Sequence, residues 1–557
     1  MRVQVDGGDL HVHAVAGSHV VTFGLDWPEK RASELQGFAL HRTNHRTGRA
    51  DWIEAQKRYR STDPGTDIGQ RVSTRQHPVQ TFLWADYTVD PGSSTPNRVL
   101  ALGGQLDRLV ELAEATVGVT TIVRTTTGHL VHFNRGAVAA QEYARRFKNV
   151  PPEEVPNGGA YEWLSRGLFQ ALVKFIDAAE GSDELYVAIY EARHNGPLDA
   201  LRRARDRGVT VNIVYDAKDN GDTAELPFPR DENVAFLDDN ELLEGAVGRT
   251  RNPGYIAHNK FVVLVKQGQP KAVFSGSTNW SPNGFFGQLN AGHEVWNADV
   301  AKQYLAYWKL LKGDPEAKDL RKALDNGFTI PEAWPDGCTT VFSPQPLRNG
   351  LDRYIGSADG AEAVFVTLAF SLDDKLAASF KTESDGLRYV LMDGINGNKK
   401  QVEKIAAAVK DIRATEAARV SIGAYLRGNA LDQFLLERSN TLATHVQFIH
   451  TKFMSVDPLG VRPLVISGSA NFSLASCTQN DENMLIVAGD DEVADIYLGE
   501  FMRSYSHYAF RDAVASARKA NRPFVANPLN EDCTWAQAHY GDGFRSRQRR
   551  YFARGKV

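Results

Sequence analysis

The sequence contains one pattern twice at the same internal spacing, and this duplication limits what the chain can fold into. The first copy starts at His258 as H-N-K-F-V-V-L-V and continues to S-G-S-T-N-W-S; the second starts at His450 as H-T-K-F-M-S-V-D and continues to S-G-S-A-N-F-S. In both copies the serine of G-S-x-N follows the histidine by 19 residues and the asparagine follows it by 21. Equal spacing in two such copies is not expected by chance, so we infer two related halves of one fold.

Length and composition place the chain among large globular proteins. At 557 residues it is too long for one ordinary domain, and 42% hydrophobic with 24% charged residues is typical of a folded protein. A net charge of −4 gives no overall basic field that would attract nucleic acid. Cys338, Cys477 and Cys533 are far apart, which gives no C-x-x-C metal site and fits a reducing compartment.

Targeting and membrane signals are not found in the sequence. No apolar run reaches the roughly 18 to 20 residues that a transmembrane helix needs. The start, M-R-V-Q-V-D-G-G-D, has no apolar stretch behind a basic end, as a secretory signal would. We therefore expect a cytoplasmic protein without a transmembrane segment, with export by another route left open. The oligomeric state is not indicated.

Residues 1–105 alternate between apolar and polar positions, with Gly, Pro or Asp about every ten residues. This pattern predicts a small β-sandwich. The segment D-Y-T-V-D-P-G-S-S-T-P-N-R-V-L-A-L resembles the last strands of a fibronectin type III module, although Thr95 and Asn97 stand where that family usually has tyrosines. A docking or targeting role and a structural cap on the next domain are both open.

The periodicity changes near residue 160. An amphipathic helical pattern from Tyr161 is followed by L-Y-V-A-I-Y-E, a helix closed by Gly208, and V-T-V-N-I-V-Y-D, which is a βαβ unit. The same order returns after a charged and Pro-rich connection. We therefore predict an α/β fold of two duplicated halves, at 160–315 and 345–515, that form one catalytic unit.

Residues 516–557 are predicted to be a basic C-terminal tail. Arginines and a lysine alternate there with two aromatic residues: Arg545, Arg547, Arg549, Arg550, Tyr551, Phe552, Arg554 and Lys556. One interpretation is contact with nucleic acid or, peripherally, with an anionic membrane surface. The other is a solvated tail, or one paired with acidic groups of the protein itself.

The residue types in each motif suit a phosphate. Side chains two apart in a strand share a face, so His258 and Lys260 point the same way, as do His450 and Lys452. The hairpin that follows could return Ser277 and Asn279 beside His258, and Ser469 and Asn471 occupy the same positions in the second copy. An ammonium group, a hydroxyl and an amide can stabilise phosphate charge, while an imidazole performs covalent or proton chemistry.

Two facing sets allow an in-line mechanism. One imidazole attacks phosphorus to form a phosphohistidine, while the other protonates the leaving alkoxide and then deprotonates water. Each imidazole needs its second ring nitrogen held by an acceptor. Glu294 and Glu482 follow the S-x-N segments and are the candidates for this role.

These residues resemble the phospholipase D superfamily, whose signature is H-x-K-x-x-x-x-D followed by G-[SG]-x-N in two halves. The resemblance covers both motifs and, in strand order, residues 160–515. It implies a metal-free and cofactor-free phosphodiesterase with His258 as nucleophile and His450 as acid and base, although these roles could be exchanged. The second motif is complete with Asp457, whereas Val265 replaces the first aspartate, which usually has a structural role in this family.

The substrate stays open between two classes of phosphodiester. A phospholipid head group is favoured, and DNA or RNA is the alternative. Trp280, Phe285 and Phe286 are expected near the mouth, where they would suit a lipid, stack on bases, or simply pack within a loop. A third interpretation, a non-catalytic phosphate-binding protein, has only Val265 in its support.

Overall fold

The N-terminal region is built of short antiparallel strands. The structure is a computed structural model that describes residues 1–43, 48–67, 69–137, 139–218, 229–250, 255–370, 372–382, 384–426, 434–439, 446–524 and 528–554. The first strands are β1 Arg2–Gly7, β2 Leu10–Ala16, β3 Val21–Asp26, β4 Gly37–Thr43, β5 Ala50–Trp52, β6 Glu54–Ala55, β7 Val72–Ser73, β8 Leu83–Asp86, β9 Ser94–Gln105 and β10 Arg108–Thr120.

Eight of these strands form two sheets that share one core. The sheet orders are β1-β2-β3-β8 and β10-β9-β4-β5, with antiparallel pairing throughout. Buried residues of both sheets, among them Phe23 and Val99, belong to a single apolar cluster, as in a sandwich. The sandwich continues past residue 105, because β9 and β10 form one hairpin with Gln105 opposite Arg108.

Two seven-stranded sheets with the same strand order follow in the described part of the chain. The first has the order β11-β17-β16-β15-β12-β13-β14 and the second β18-β24-β23-β22-β19-β20-β21. The strands of the first are β11 His129–Phe133, β12 Glu184–Ile189, β13 Thr210–Asp216, β14 Val247–Arg249, β15 Lys260–Lys266, β16 Gln269–Gly276 and β17 Ala291–Val295. Those of the second are β18 Gly337–Ser343, β19 Ala363–Leu368, β20 Leu387–Met392, β21 Ala418–Ile422, β22 Phe453–Val456, β23 Leu464–Gly468 and β24 Glu482–Ala488. The predicted α/β duplication is confirmed.

Each sheet begins with an edge strand that lies outside the predicted halves. In sequence β11 precedes residue 160, and β18 precedes residue 345. Both pair antiparallel with the last strand of their sheet, β17 and β24. Each edge strand therefore pairs with a strand far along the chain. Local periodicity in the sequence does not reveal such a long-range pairing.

The helices cover the sheets and join the halves. They are α1 Gln141–Phe147, α2 Gly159–Ser165, α3 Leu168–Asp177, α4 Asn195–Asp206, α5 Arg230–Asp239, α6 Ala298–Lys312, α7 Ala317–Gly327, α8 Asn349–Gly356, α9 Asp374–Lys381, α10 Lys399–Ala414, α11 Leu474–Thr478, α12 Asp491–Lys519 and α13 Phe544–Arg554. One apolar cluster contains residues of β11, β19 and α12, so the two halves share a core along α12. No helix in the described residues has the length and apolarity to cross a bilayer.

The helix predicted from Tyr161 is broken in two. Between α2 and α3, Arg166 has φ of 46° and Gly167 has φ of 89°. The break turns the Arg166 side chain into the protein, where it is buried and paired with Glu500 of α12. Helical periodicity alone does not report such a long-range ion pair.

The C-terminal segment is not a free tail. Tyr551 and Phe552 of α13 are buried in the core shared with α12, and Arg549 pairs with Asp26 of the sandwich. Gly24 of β3 passes so close that an added Cβ would lie 2.1 Å from the carbonyl oxygen of Phe552. The two aromatic side chains favour burial over solvation, so α13 packs between the sandwich and the second half. Lys556 lies outside the described residues.

Candidate active site

The two motif histidines lie where the halves meet. The segment before each histidine pairs with the other half, with parallel bridges from Ala257 to Asp481 and from Leu289 to Ile449. The backbone amide of His450 donates to the carbonyl of Leu289 at 2.9 Å. These bridges bring the start of β24 to the first motif and the start of β17 to the second.

His258 is held by a carboxylate of the opposite half. Its Nδ1 atom lies 2.8 Å from Oε2 of Glu482, and both side chains are buried. A carboxylate accepts the Nδ1 proton, which leaves the Nε2 lone pair free. The structure thus places Glu482 where the sequence predicted an acceptor, but the acceptor comes from the second half and serves the histidine of the first.

His450 is held by an amide instead of a carboxylate. Its Nδ1 atom lies 2.9 Å from Oδ1 of Asn290. Glu294, predicted for this role, is instead bonded to His132 at 3.0 Å and to the indole of Trp296 at 3.0 Å. The duplication contained the missed signal, since Asn290 follows Ser277 by 13 residues, as Glu482 follows Ser469.

Both motif lysines are buried and anchored in the same way. Nζ of Lys260 donates to the carbonyl of His258 at 2.6 Å, and Nζ of Lys452 donates to the carbonyl of His450 at 2.7 Å. Lys260 also lies 4.9 Å from the ring centre of Tyr190, whose ring packs edge-on against His258 at 4.8 Å. The sequence predicted each lysine and did not predict Tyr190.

The serines of G-S-x-N face the neighbouring strand. Oγ of Ser277 donates to Oδ1 of Asn290 at 2.8 Å, and Oγ of Ser469 accepts from the backbone amide of Asn483 at 3.0 Å. Asn279 and Asn471 differ, because their Oδ1 atoms are buried and have no hydrogen-bond partner among the described residues. Buried polar atoms are normally paired, so two unpaired amides at equivalent positions indicate a site for a polar ligand.

Burial shifts the ionisation of the whole set. It lowers the pKa of His258 and of His450 well below 6.5, and the charges of Lys260 and Lys452 lower it further. Burial lowers the pKa of Lys260 to about 7, although the charge of Glu482 opposes this shift. Burial raises the pKa of Glu482 to about 7, against the charge of Lys260. Near neutrality the site therefore holds neutral imidazoles beside groups that can exchange protons.

Two aspartates that the sequence did not single out support the histidine segments. Asp216, at the end of β13, accepts from the amide of Ala257 at 2.6 Å. Asp393, just after β20, accepts from the amides of Phe448 and Ile449 at 2.6 and 2.8 Å. Each fixes the backbone immediately before a motif histidine.

The last position of the signature has a different role in each half. Asp457 accepts from the amide of Ala363 at 2.7 Å, at the first residue of β19. Val265, its counterpart, is 2% exposed and packs in an apolar cluster. In the sheet it lies opposite Glu184 of β12. Hydrogen bonding in one half is replaced by packing in the other.

The three aromatic residues expected at the mouth are packed inside the first half. Trp280 is 2%, Phe285 0% and Phe286 5% exposed, and all belong to the core of that half. They offer no surface to a lipid or to bases, so the packing interpretation holds. No group of three or more His, Cys, Asp or Glu side chains in the described ranges is arranged to hold a metal ion.

Comparisons with known proteins place this site in a family. A family model described as "Cardiolipin synthase, PLD-like domain" matches residues 172–311 and 354–505, which together are more than half of the chain and contain both motifs. A search of curated proteins finds no significant match.

The solved structures that match this chain are distant from it in sequence. Phosphatidylserine synthase from Haemophilus influenzae is 13% identical, with 62% of this chain and 84% of that chain covered and a TM-score of 0.42. Polyphosphate kinase from Porphyromonas gingivalis is 13% identical, with 68% of this chain covered and a TM-score of 0.35; the match spans about half, 52%, of the kinase. Nuc from Salmonella typhimurium, a phospholipase D family member, is 17% identical, with 32% and 92% covered and a TM-score of 0.21. From its family-model match, the chain belongs to the phospholipase D superfamily.

Proposed function

We propose that this protein hydrolyses or transfers a phosphodiester through a covalent phosphohistidine, without a metal ion. The observation that carries the proposal is the pair of buried motif histidines, one held by Glu482 and the other by Asn290. Lys260 and Lys452 supply positive charge to a phosphate at this site. A half-turn of the Asn279 and Asn471 amides, whose Oδ1 atoms have no hydrogen-bond partner to lose among the described residues, would present Nδ2 donors to it.

The different acceptors support His258 as the nucleophile. A carboxylate at Nδ1 increases the electron density of the ring and stabilises the charge that develops when Nε2 attacks phosphorus. The neutral amide at His450 stabilises an imidazolium less. Once His450 is protonated beside the bound phosphate anion, it therefore releases its proton more readily to a leaving alkoxide. In this assignment the P–O bond to the leaving group breaks as the N–P bond forms, and water activated by His450 later cleaves the N–P bond.

Bis(p-nitrophenyl) phosphate in EDTA separates the two roles. Its leaving group departs without a proton, so His450→Ala should still form the adduct and should accumulate it on His258, because water is no longer activated. His258→Ala should form no adduct. Rapid quenching at alkaline pH followed by peptide mass spectrometry locates the phosphoryl group. An adduct on His450 in the His258→Ala variant would exchange the roles, and turnover by wild type without any adduct would contradict the proposal.

The same variants test the natural substrate class. A choline phospholipid and single-stranded DNA are offered in parallel, with head-group release and strand cleavage as the readouts. The His/Lys/Asn sets of both motifs are intact, which supports catalysis over a receptor that only binds phosphate. Trp280, Phe285 and Phe286 are buried and do not line the mouth, so the sequence-based reason to prefer a lipid is removed.

A further inference from the structure

A second candidate site lies away from the motif residues, between the sandwich and the catalytic unit. A cavity of about 1120 Å³ opens there, and none of its lining residues belongs to either motif. One wall consists of β5, β8 and their surroundings. The other wall consists of α1, the C-terminal part of α12, and residues 135 and 163.

The wall of the catalytic unit carries more arginines than carboxylates to pair with them. Arg145 and Arg146 of α1 both form ion pairs with the single carboxylate of Glu142, and Arg71, which precedes β7 in the N-terminal region, reaches across the cavity to the same carboxylate. Arg135 has no carboxylate within ion-pair distance in the described part of the chain; it donates from Nε to the carbonyl of Trp163 at 3.1 Å.

The excess of charge continues behind this wall. Glu500 alone pairs with both Arg166 and Arg503. Burial, followed by the charge of Arg503, lowers the pKa of Arg135 to about 10. Five guanidinium groups therefore share two carboxylates, and Arg135 beside them has none within ion-pair distance in the described residues. A bound anion would stabilise this arrangement.

The sandwich wall has a different chemistry. It presents the half-buried aromatic rings of Trp52, Trp84 and Tyr87. Apart from Arg71, its arginines are paired within the wall, Arg42 with Asp86 and Arg49 with Asp51, and Glu54 and Asp90 add negative charge. The cavity is thus cationic on one side and aromatic to acidic on the other.

We propose that this cavity binds single-stranded nucleic acid, with phosphates on the arginine wall and bases on the aromatic wall. A single strand has these two chemically distinct sides, and proteins that bind it combine a basic track with stacking rings. Inorganic polyphosphate is anionic on every side and would meet Glu54 and Asp90. The head groups of a bilayer form a flat layer that does not enter a cavity between two walls.

The cavity is connected to the active site through one residue. Arg503 donates to the carbonyl of Asn134 at 3.2 Å, and Oδ1 of Asn134 accepts from the amide of Asn290 at 2.8 Å. Asn290 is the residue that holds His450. The binding proposal is independent of catalysis; that the bound strand is the substrate rests on the proposed function.

The test is binding of a fluorescein-labelled 12-nucleotide oligothymidylate in EDTA, measured by anisotropy over a range of salt concentrations. Arg71→Gln/Arg146→Gln removes two charges from side chains that are 33% and 53% exposed. We expect at least a tenfold loss of affinity at low salt, and a slope of log K against log salt that is shallower by about 1.4, since each phosphate contact on a single strand contributes about 0.7. Trp52→Leu should weaken binding by roughly tenfold without changing the slope, because stacking is not electrostatic.

Two controls separate this site from general charge and from catalysis. Arg202→Gln/Arg203→Gln on α4 removes the same charge from similarly exposed side chains and should bind like wild type. His450→Ala should also bind like wild type, so loss of the phosphohistidine and loss of binding are separate results. The proposal is overturned if wild type does not bind the oligonucleotide, if both arginine pairs lose affinity equally, or if a 12-base-pair duplex binds as tightly. Binding to phosphatidylserine vesicles in place of the oligonucleotide would overturn it in favour of a membrane.

Discussion

Nδ1 of His258 lies 2.8 Å from Oε2 of Glu482, so the histidine of the first motif is oriented by a carboxylate of the second half. The equivalent contact of His450 is made by an amide, that of Asn290, at 2.9 Å. The chain is therefore duplicated in fold but asymmetric at the two groups that differ most in the proposed chemistry.

Glu482→Gln should reduce kcat by roughly 10²-fold or more, because an amide does not hold the Nδ1 proton of His258 as a carboxylate does. Asn290→Asp is the matched change at His450. It should slow the step in which His450 gives up its proton, since a second carboxylate stabilises the imidazolium. Single-turnover kinetics with an alkoxide leaving group measure both effects. Equal loss in the two variants at the adduct-forming step with a p-nitrophenolate leaving group would contradict the assignment of His258.

The pH profile of kcat/KM should be bell-shaped and centred near pH 7. Burial raises the pKa of Glu482 to about 7, so its carboxylate is lost as the pH falls below that value. Burial lowers the pKa of Lys260 to about 7, so its positive charge is lost as the pH rises. In Glu482→Gln the acidic limb should disappear, and the alkaline limb should move to lower pH because the charge of Glu482 no longer raises the pKa of Lys260. A profile that is flat from pH 6 to 8 in the wild type would refute this prediction.

Lys452→Met should stabilise the fold while it abolishes turnover. Burial and the charge of Lys260 lower the pKa of Lys452 well below 10.5, so charging this buried lysine costs folding free energy. That cost is fully present below the folded pKa and vanishes as the pH approaches 10.5. The gain, about 1–2 kcal/mol and about 1–2 °C in Tm, should thus be larger at pH 6 than at pH 9. A lower Tm at pH 6 would show that the lost bond to the carbonyl of His450 outweighs the charge.

Asp457 should contribute to stability and not to catalysis. Asp457→Ala leaves the amide of Ala363 without its acceptor, and the left-handed backbone at residue 457, with φ of 45°, disfavours alanine. We expect a loss of about 1–3 kcal/mol with an unchanged kcat of the folded protein. Asp457→Asn, which keeps an acceptor and tolerates this φ, is the control and should be nearly neutral.

The counterpart of Asp457 should respond in the opposite way. Val265→Asp restores the family signature but introduces a carboxylate into an apolar cluster. We expect it to lower Tm without raising kcat. A gain in activity would mean that the replaced aspartate has a role near the phosphate. Urea denaturation with activity measured in parallel separates the two readouts.

Much of the candidate site could be predicted from spacing alone. The side chains of His258, Lys260, His450 and Lys452 are all buried at the meeting of the halves, as their positions in the duplicated pattern predicted. Glu294 lies within β17 and contacts His132 and Trp296, whereas the position equivalent to Glu482 is Asn290, immediately before that strand. Counting from each serine would have identified Asn290, but only the fold shows that it serves the opposite histidine.

The duplication, the α/β class and the motif residues were determined by the sequence itself, because strand periodicity and equal spacing are local properties of the chain. The tertiary structure decided which distant segments meet. It pairs His258 with Glu482, turns Arg166 towards Glu500, and buries Tyr551 and Phe552. Each of these contacts joins residues far apart in sequence, and its free energy depends on burial that exists only once both segments are packed together.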